Sequence, residues 1–306
     1  MNKRQLGSSD IYLSELSLGC MSLGRDPKVA KSIIDRALNA GVNYLDTADL
    51  YDFGENERIV GEAIKGRRED LIIGTKAGNK FTPREQGWTW DPSKSHIKSA
   101  VKDSLQRLGI DYIDLYQLHG GTIDDPIDET IEAFEELKQD GLIREYGISS
   151  IRPNVIKEFV KKSNIVSVMM QYNALDRRPE EEILELLNKN SISVLARGPM
   201  AKGMLSSQAQ QKINQKGQEG FLDYSFEELK AVIDKWMDYE SGERTLEALA
   251  LQYILHQEPV ATAVFGASSV KQVEENLSYL EASPLTEQIF GEIQAMTKQL
   301  TYKKHR

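Results

Sequence analysis

The 306-residue sequence predicts an α/β fold, a closed (β/α)8 TIM barrel formed as one domain over residues 1–306. Three observations predict it. Eight short apolar runs recur along the chain without strict alternation, as parallel strands buried on both faces should. Amphipathic helical stripes separate them. No Gly-x-Gly-x-x-Gly turn follows the first strand, so the alternative, a doubly wound open sheet, lacks its usual phosphate-binding turn.

The elements follow in order. The first strand is 16–19, LSLG. A helix over 30–39 carries Ile33, Ile34, Ala37 and Leu38 on one stripe and stops at Gly41. The second strand is 43–46 and the third is 71–76, LIIGTK. The helix over 93–108 has Pro92 near its start, Ile97, Val101, Leu105 and Leu108 on one face, and Gly109 at its end. The fourth strand is 113–119. Helix 128–139 carries Ile131, Phe134 and Leu137 and stops at Gly141. Strands 145–149, 166–171 and 192–197 alternate with helices 153–162 and 179–189. The stretch 206–220, SSQAQQKINQKGQEG, is Gln-rich and shows no apolar stripe. It is read as a long mobile loop on the active face, either a lid or a plain surface insertion. Helices 226–237 and 244–257, strand 262–266, and helices 270–282 and 285–300 complete the pattern.

Composition narrows the function. Apolar residues make up 40% and charged residues 28% of the chain, the balance of an ordinary globule. A net charge of −9 argues against a nucleic-acid surface or an anionic membrane as partner. Cys20 is the single cysteine, so no intramolecular disulfide forms. The N-terminus MNKRQLGSSDIYL has no signal-peptide core, and no run approaches the ~20 apolar residues of a membrane span. A cytoplasmic protein, monomeric or weakly oligomeric, is expected.

Four polar residues stand at strand exits. Asp46 closes 42–45, Tyr51 lies five residues on, Lys76 closes LIIGTK, and His119 closes YIDLYQLH. In such a barrel the active site lies where strands run out into the βα loops. Neighbouring strands are about 4.8 Å apart, so these side chains are able to meet. A tyrosine hydroxyl is by itself a poor acid at neutral pH, and an adjacent ammonium favours its phenolate. A buried lysine in turn needs a carboxylate, which Asp46 supplies. A histidine can donate to a carbonyl oxygen. Together they would protonate a developing alkoxide.

These residues and their surroundings resemble the aldo-keto reductase superfamily, within it the bacterial and potassium-channel-β-like branch. GVNYLDTADLYDFGENERIVGEAI, GTKAG and DYIDLYQLHG carry the resemblance, with LGCMSLG, EYGISS and VFGASSVKQVEENL beside them. It covers residues 1–302 and implies a barrel that reduces aldehydes or ketones with NADPH. By motif, Tyr51 is the general acid, Lys76 assists its proton donation, Asp46 holds Lys76, and His119 orients the carbonyl.

The resemblance also implies the cofactor positions. Gly266, Ala267, Ser268, Gln272, Glu275 and Asn276 match the stretch that holds the adenosine and its 2′-phosphate, where a helix N-terminus favours an anion. Gln272 stands where many relatives place an Arg, and NADPH is still expected over NADH. Gly19, Cys20, Met21, Ser149, Ser150, Gln171, Arg197, Gly198, Pro199, Met200 and Gly203 match the remaining contacts. Lys202 either meets the pyrophosphate or stays solvated. Three departures surround the nicotinamide. Ser150 replaces an Asn, Met169 takes the slot of a Gln, and Arg197 takes the slot of a stacking aromatic ring. Gln171 is expected on the opposite barrel face from position 169 unless the strand bulges. Weaker or unusually posed cofactor binding follows, since a guanidinium stacks but repels an oxidised ring. Trp88 and Trp90 are expected to wall the substrate site, with Met21, Phe53 and Met204 as further candidates. An alternative function is a channel-β-like nicotinamide-binding, redox-sensing or regulatory subunit with weak catalysis. A metal hydrolase using Asp46, Asp49 and His119 lacks the ligand spacing it would need.

Overall fold

Strand pairing begins ahead of the barrel. In the computed structural model, which describes residues 1–82 and 87–306, β1 (Lys3–Gln5) and β2 (Tyr12–Ser14) form an antiparallel hairpin. Leu6, Ile11 and Leu13 pack with Tyr44, Leu115, Val166, Met169, Leu195 and Val264 inside the barrel. The Gly7 N–H donates to Ser193 Oγ at 2.8 Å, at the start of a barrel strand. The hairpin therefore plugs the N-terminal end and leaves the opposite end for a site. It was not expected from the sequence, since its strands are three residues each.

The barrel follows. β3 (Leu16–Gly19) leads to α1 (Pro27–Asn39), whose start is set by Pro27 and by Asp26 accepting from the Lys28 and Val29 N–H groups. β4 (Tyr44–Asp46) leads to α2 (Glu55–Ala63), and β5 (Ile72–Ala77) to a ribbon of β6 (Asn79–Lys80) and β7 (Thr89–Trp90) and then α3 (Lys94–Leu108). Next come β8 (Ile113–Leu118), α4 (Ile127–Gln139), β9 (Ile143–Ser149), α5 (Pro153–Lys162), β10 (Ser167–Gln171), α6 (Ile183–Lys189) and β11 (Ser193–Arg197). α7 (Ala209–Lys216), α8 (Phe226–Met237), α9 (Leu246–Leu255), β12 (Val260–Gly266), α10 (Val270–Leu277) and α11 (Glu287–Met296) finish the chain. The parallel strands close in the order β3-β4-β5-β8-β9-β10-β11-β12, with β12 pairing back onto β3. These are the eight strands expected from the apolar runs, and the closed barrel replaces the open-sheet alternative. The helices pack their stripes on the outer strand faces around Ile33, Val101, Phe134, Phe159 and Leu249.

Beyond ends that shift by a few residues, as at 270–282 and 285–300, the helical reading needs three corrections. α2 was overlooked because its apolar stripe is short and broken by Gly61. That glycine lets α2 approach α3 closely, since a Cβ there would lie 2.4 Å from the Leu108 carbonyl oxygen. The segment 179–189 is broken at Glu182 into a 3-10 turn, Arg178–Glu181, and α6. The third correction is 206–220, which is not a structureless loop. It holds α7, whose Ala209 and Ile213, four residues apart, are buried, with Gly217 as C-cap. Two small apolar contacts among glutamines are too little for a visible stripe but enough to seat one helix turn on the barrel. Among the described residues no helix is long and apolar enough to cross a membrane.

Candidate active site

Strand register brings the four polar residues to one end of the barrel. Asp46 ends β4 opposite Gly19, and Lys76 stands on β5 opposite Gln117. The His119 N–H donates to the Ala77 carbonyl at 2.7 Å, which fixes the first residue beyond β8 against β5. Lys76 is fully buried and Asp46 is 3% exposed. Their Nζ and Oδ2 atoms are 2.7 Å apart, and Nζ also donates to the Thr47 carbonyl at 2.7 Å. The other Asp46 oxygen accepts from the Tyr44 hydroxyl at 3.0 Å. Each charge in this buried pair thus has further hydrogen bonds, the condition under which such a pair offsets its desolvation. Burial pulls the Lys76 pKa down, but the Asp46 carboxylate and Tyr51 outweigh it and the net shift is upward. Lys76 is therefore an ammonium. Tyr44, pushed far up by burial and by Asp46, stays a phenol and a donor.

Tyr51 opens a 3-10 turn, Tyr51–Gly54, just after this pair. Its ring centre lies 5.3 Å from Lys76 Nζ. His119 meets it edge-on, with ring centres 5.8 Å apart and planes at 81°. Burial, then the charges of Lys76 and Arg197, push the His119 pKa down to about 3. The imidazole is neutral at working pH and has one N–H to give. Its Nδ1 is buried with no partner among the described residues.

That shift has a measurable consequence. In the unfolded chain His119 takes up a proton near its ordinary value of 6.5, but in the fold only near 3. Between these values the unfolded state binds the extra proton, so stability falls as pH drops through the window. At about 1.4 kcal/mol per pH unit the loss is about 2 kcal/mol between pH 7 and pH 5. His119→Gln is expected to flatten that part of the pH dependence, measured as urea midpoints at the two pH values. No His119 ionisation near 6.5 is expected in the pH profile of kcat/KM.

Tyr51, Asp46 and His119 line a cleft of about 1180 Å³ at the C-terminal end of the barrel, while Lys76 lies buried behind them. Trp88, Trp90, Ile151 and Arg152 form one wall. Trp90 is fixed there by its Nε1, which is 3.0 Å from both Asp125 oxygens, and Trp88 stands 53% exposed at the mouth. The opposite wall comes from β11, β12 and the segments after them. Gly19, Met21, Ser149, Ser150, Gln171, Arg197, Gly198, Pro199, Met200, Lys202, Gly203, Gly266, Ala267, Ser268, Gln272, Glu275 and Asn276 all face the cleft. Ser268 donates from its N–H and its hydroxyl to Gln272 Oε1, at 2.8 and 3.0 Å. Asn276 donates to the Gln272 carbonyl at 2.7 Å, while its own Oδ1 is buried without a partner among the described residues.

Several expected positions are corrected. Cys20 is fully buried beneath the cleft, where burial drives its thiol pKa far up, and does not line it. Met204 is buried in the core, and Phe53 packs edge-on against Phe81 with ring centres 5.6 Å apart. Neither reaches the cleft. Gln171 does not face away from Met169. Both line the cleft with no bulge between β10 and β11, because residues two apart on a strand share a face. Gln171 Nε2 is held by Asp176 Oδ2 at 2.8 Å, and its Oε1 accepts from Arg197 at 3.3 Å. Lys212 and Lys216, also in the cleft wall, were missed because α7 was. Their i, i+4 spacing was the available signal. Among the described residues no three His, Cys, Asp or Glu side chains are grouped to hold a metal ion.

The Aldo/keto reductase family model matches residues 15–298. The chain belongs to the aldo-keto reductase family. It is 57% identical over 307 residues to the oxidoreductase YqkF of Bacillus subtilis (strain 168), covering 100% of both chains. It is 32% identical to the NADH-specific methylglyoxal reductase of Escherichia coli (strain K12), covering 92% of this chain and 94% of that one. Among solved structures, the holo form of aldo-keto reductase AKR11C1 from Bacillus halodurans superposes with a TM-score of 0.93 at 57% identity, over 100% of this chain and 99% of the other. This aldo-keto reductase is therefore an oxidoreductase of a family that works on carbonyl compounds with nicotinamide cofactors, on a barrel its relatives share.

Proposed function

We propose that the enzyme reduces aldehydes or ketones to alcohols with NADPH, with Tyr51 as the proton donor. The observation that carries the reading is the Tyr51 ring set between the buried Lys76–Asp46 pair and a neutral His119 at the cleft floor. His119 gives its N–H to the carbonyl oxygen and turns it toward Tyr51. NADPH, when bound, supplies the hydride to the carbonyl carbon. As negative charge grows on the oxygen, the Tyr51 O–H proton passes to it, and the phenolate left behind is stabilised by the Lys76 ammonium. Asp46 and the Thr47 carbonyl keep that ammonium in place. Water returns the proton to Tyr51.

The cleft suits a nicotinamide dinucleotide. The orphaned Asn276 Oδ1 suits an amine donor such as that of adenine. Ser268 and Gln272 would take the 2′-phosphate side, and Lys202 and its neighbours the pyrophosphate. Arg197, Gln171, Ser149 and Ser150 would frame the nicotinamide. The preference for NADPH rests on the Ser268 hydroxyl and the Gln272 amide at the 2′-phosphate side. Among the described residues Lys202, Lys212 and Lys216 have no carboxylate partner, and in a chain of net charge −9 they would favour the phosphates of either dinucleotide. Trp88 and Trp90 favour carbonyl compounds with a flat or apolar body. The buried single cysteine suits a cytoplasmic setting, with the chain acting as one domain and as a monomer or weak oligomer.

Fluorescence titration with both cofactors, followed by a panel of aldehydes and ketones, tests the reading. NADPH is expected to bind about tenfold or more tightly than NADH, a difference of about 1.4 kcal/mol. Equal or tighter NADH binding overturns the cofactor choice. A panel in which no carbonyl is reduced overturns the reaction.

A further inference from the structure

Immediately after Tyr51 the backbone turns through three consecutive residues of positive φ: Asp52 at 48°, Phe53 at 54° and Gly54 at 89°. Two of the three carry side chains, which rarely accept this region, so the turn must be held by its surroundings. At the surface, Arg25 pairs with Asp52 at 2.7 Å, but the Arg25 side chain is 74% exposed and such a pair holds weakly. The firmer contact is underneath. A Cβ on Gly54 would come within 2.7 Å of Arg107 Cδ, so the arginine stem packs directly on the turn. Arg107 Nε donates to Glu57 Oε2 at 2.6 Å and Nη2 to Ser104 Oγ at 3.2 Å. Glu57 is fully buried, and its second oxygen accepts from Thr75 Oγ1 at 2.6 Å. Thr75 adjoins Lys76 on β5, and the N–H of Asp49, two residues before Tyr51, donates to the Lys76 carbonyl at 3.2 Å.

We propose that the buried Arg107–Glu57 pair is a positioning device: it ties the strained turn to the strand carrying Lys76 and so sets the Tyr51 hydroxyl over the ammonium. The inference rests on the reading of Tyr51 as proton donor. Stability alone does not call for charges here, because buried pairs are often replaced by apolar side chains without loss. What a guanidinium adds is direction: a planar fork of fixed donors that holds Glu57 and Ser104 while its stem supports Gly54.

The test is the double variant Arg107→Met with Glu57→Gln, which removes both charges of the pair together, made in wild-type and in Tyr51→Phe backgrounds. In the wild type kcat is expected to fall about tenfold or more, as a small misplacement of a reacting group does. KM and NADPH affinity should stay within about twofold. In the Tyr51→Phe background the same change should lower residual kcat less than about twofold, because no hydroxyl remains to be misplaced. Wild-type kcat in the double variant overturns the inference, as does an equal fall in both backgrounds, the mark of a merely structural role. Thr75→Val, of the same shape, decides the matter if the double variant folds poorly. It is expected to lower kcat about threefold or more at unchanged NADPH affinity, and unchanged kcat overturns the proposal. If Tyr51→Phe alone leaves activity intact, the proton-donor reading fails instead.

Discussion

Tyr51→Phe is expected to lower kcat by about 10²–10⁴, the usual contribution of one general acid. KM and NADPH affinity should stay within about twofold. The reason lies in what the substitution leaves behind. The ring keeps its edge contact with His119 and its place beside Lys76. The Lys76–Asp46 pair, which has its own bonds to Thr47 and Tyr44, is undisturbed. Only the proton is missing when the carbonyl oxygen gains charge. Steady-state kinetics on the best carbonyl of the panel, with cofactor titration alongside, read both halves of this expectation.

Lys76→Met is expected to damage the enzyme twice over. It leaves the Asp46 carboxylate buried with no cation, and breaking a buried pair from one side costs about 3–5 kcal/mol. It also removes the charge that stabilises the phenolate, for a further fall in kcat of about 10² or more. The two effects separate in the double variant Lys76→Met with Asp46→Asn. There the amide still accepts from Tyr44, the uncompensated charge is gone, and most of the stability should return while kcat stays low. Urea unfolding and kcat on the two variants check this. Recovery of both together would mean that Lys76 serves the fold alone.

The barrel was legible in the sequence because each strand is a short apolar run with a helix and a Gly or Pro stop beside it, as at Gly109 and Pro153. Asp46, Tyr51, Lys76 and His119 were legible because strand exits in such a barrel converge on one end. What escaped lacked a period long enough to register. The β1–β2 hairpin is too short to alternate visibly. α7 shows only Ala209 and Ile213 among glutamines, so Lys212 and Lys216 went unseen with it. Gln171 was misplaced by misjudging the strand period, not by any irregularity in β10. The Arg107–Glu57–Thr75 brace joins side chains from α3, α2 and β5 through contacts 18 and 50 residues apart in the chain, which no local pattern announces.

The most direct test of the proposed chemistry is a single turnover. Enzyme loaded with NADPH carrying deuterium at both nicotinamide C4 positions is mixed with an aldehyde, and the alcohol is followed over time. The expected result is deuterium on the carbinol carbon, formed at a rate about 10² or more below wild type in Tyr51→Phe at equal cofactor occupancy. Alcohol without deuterium on carbon, or equal rates in the two proteins, would contradict it.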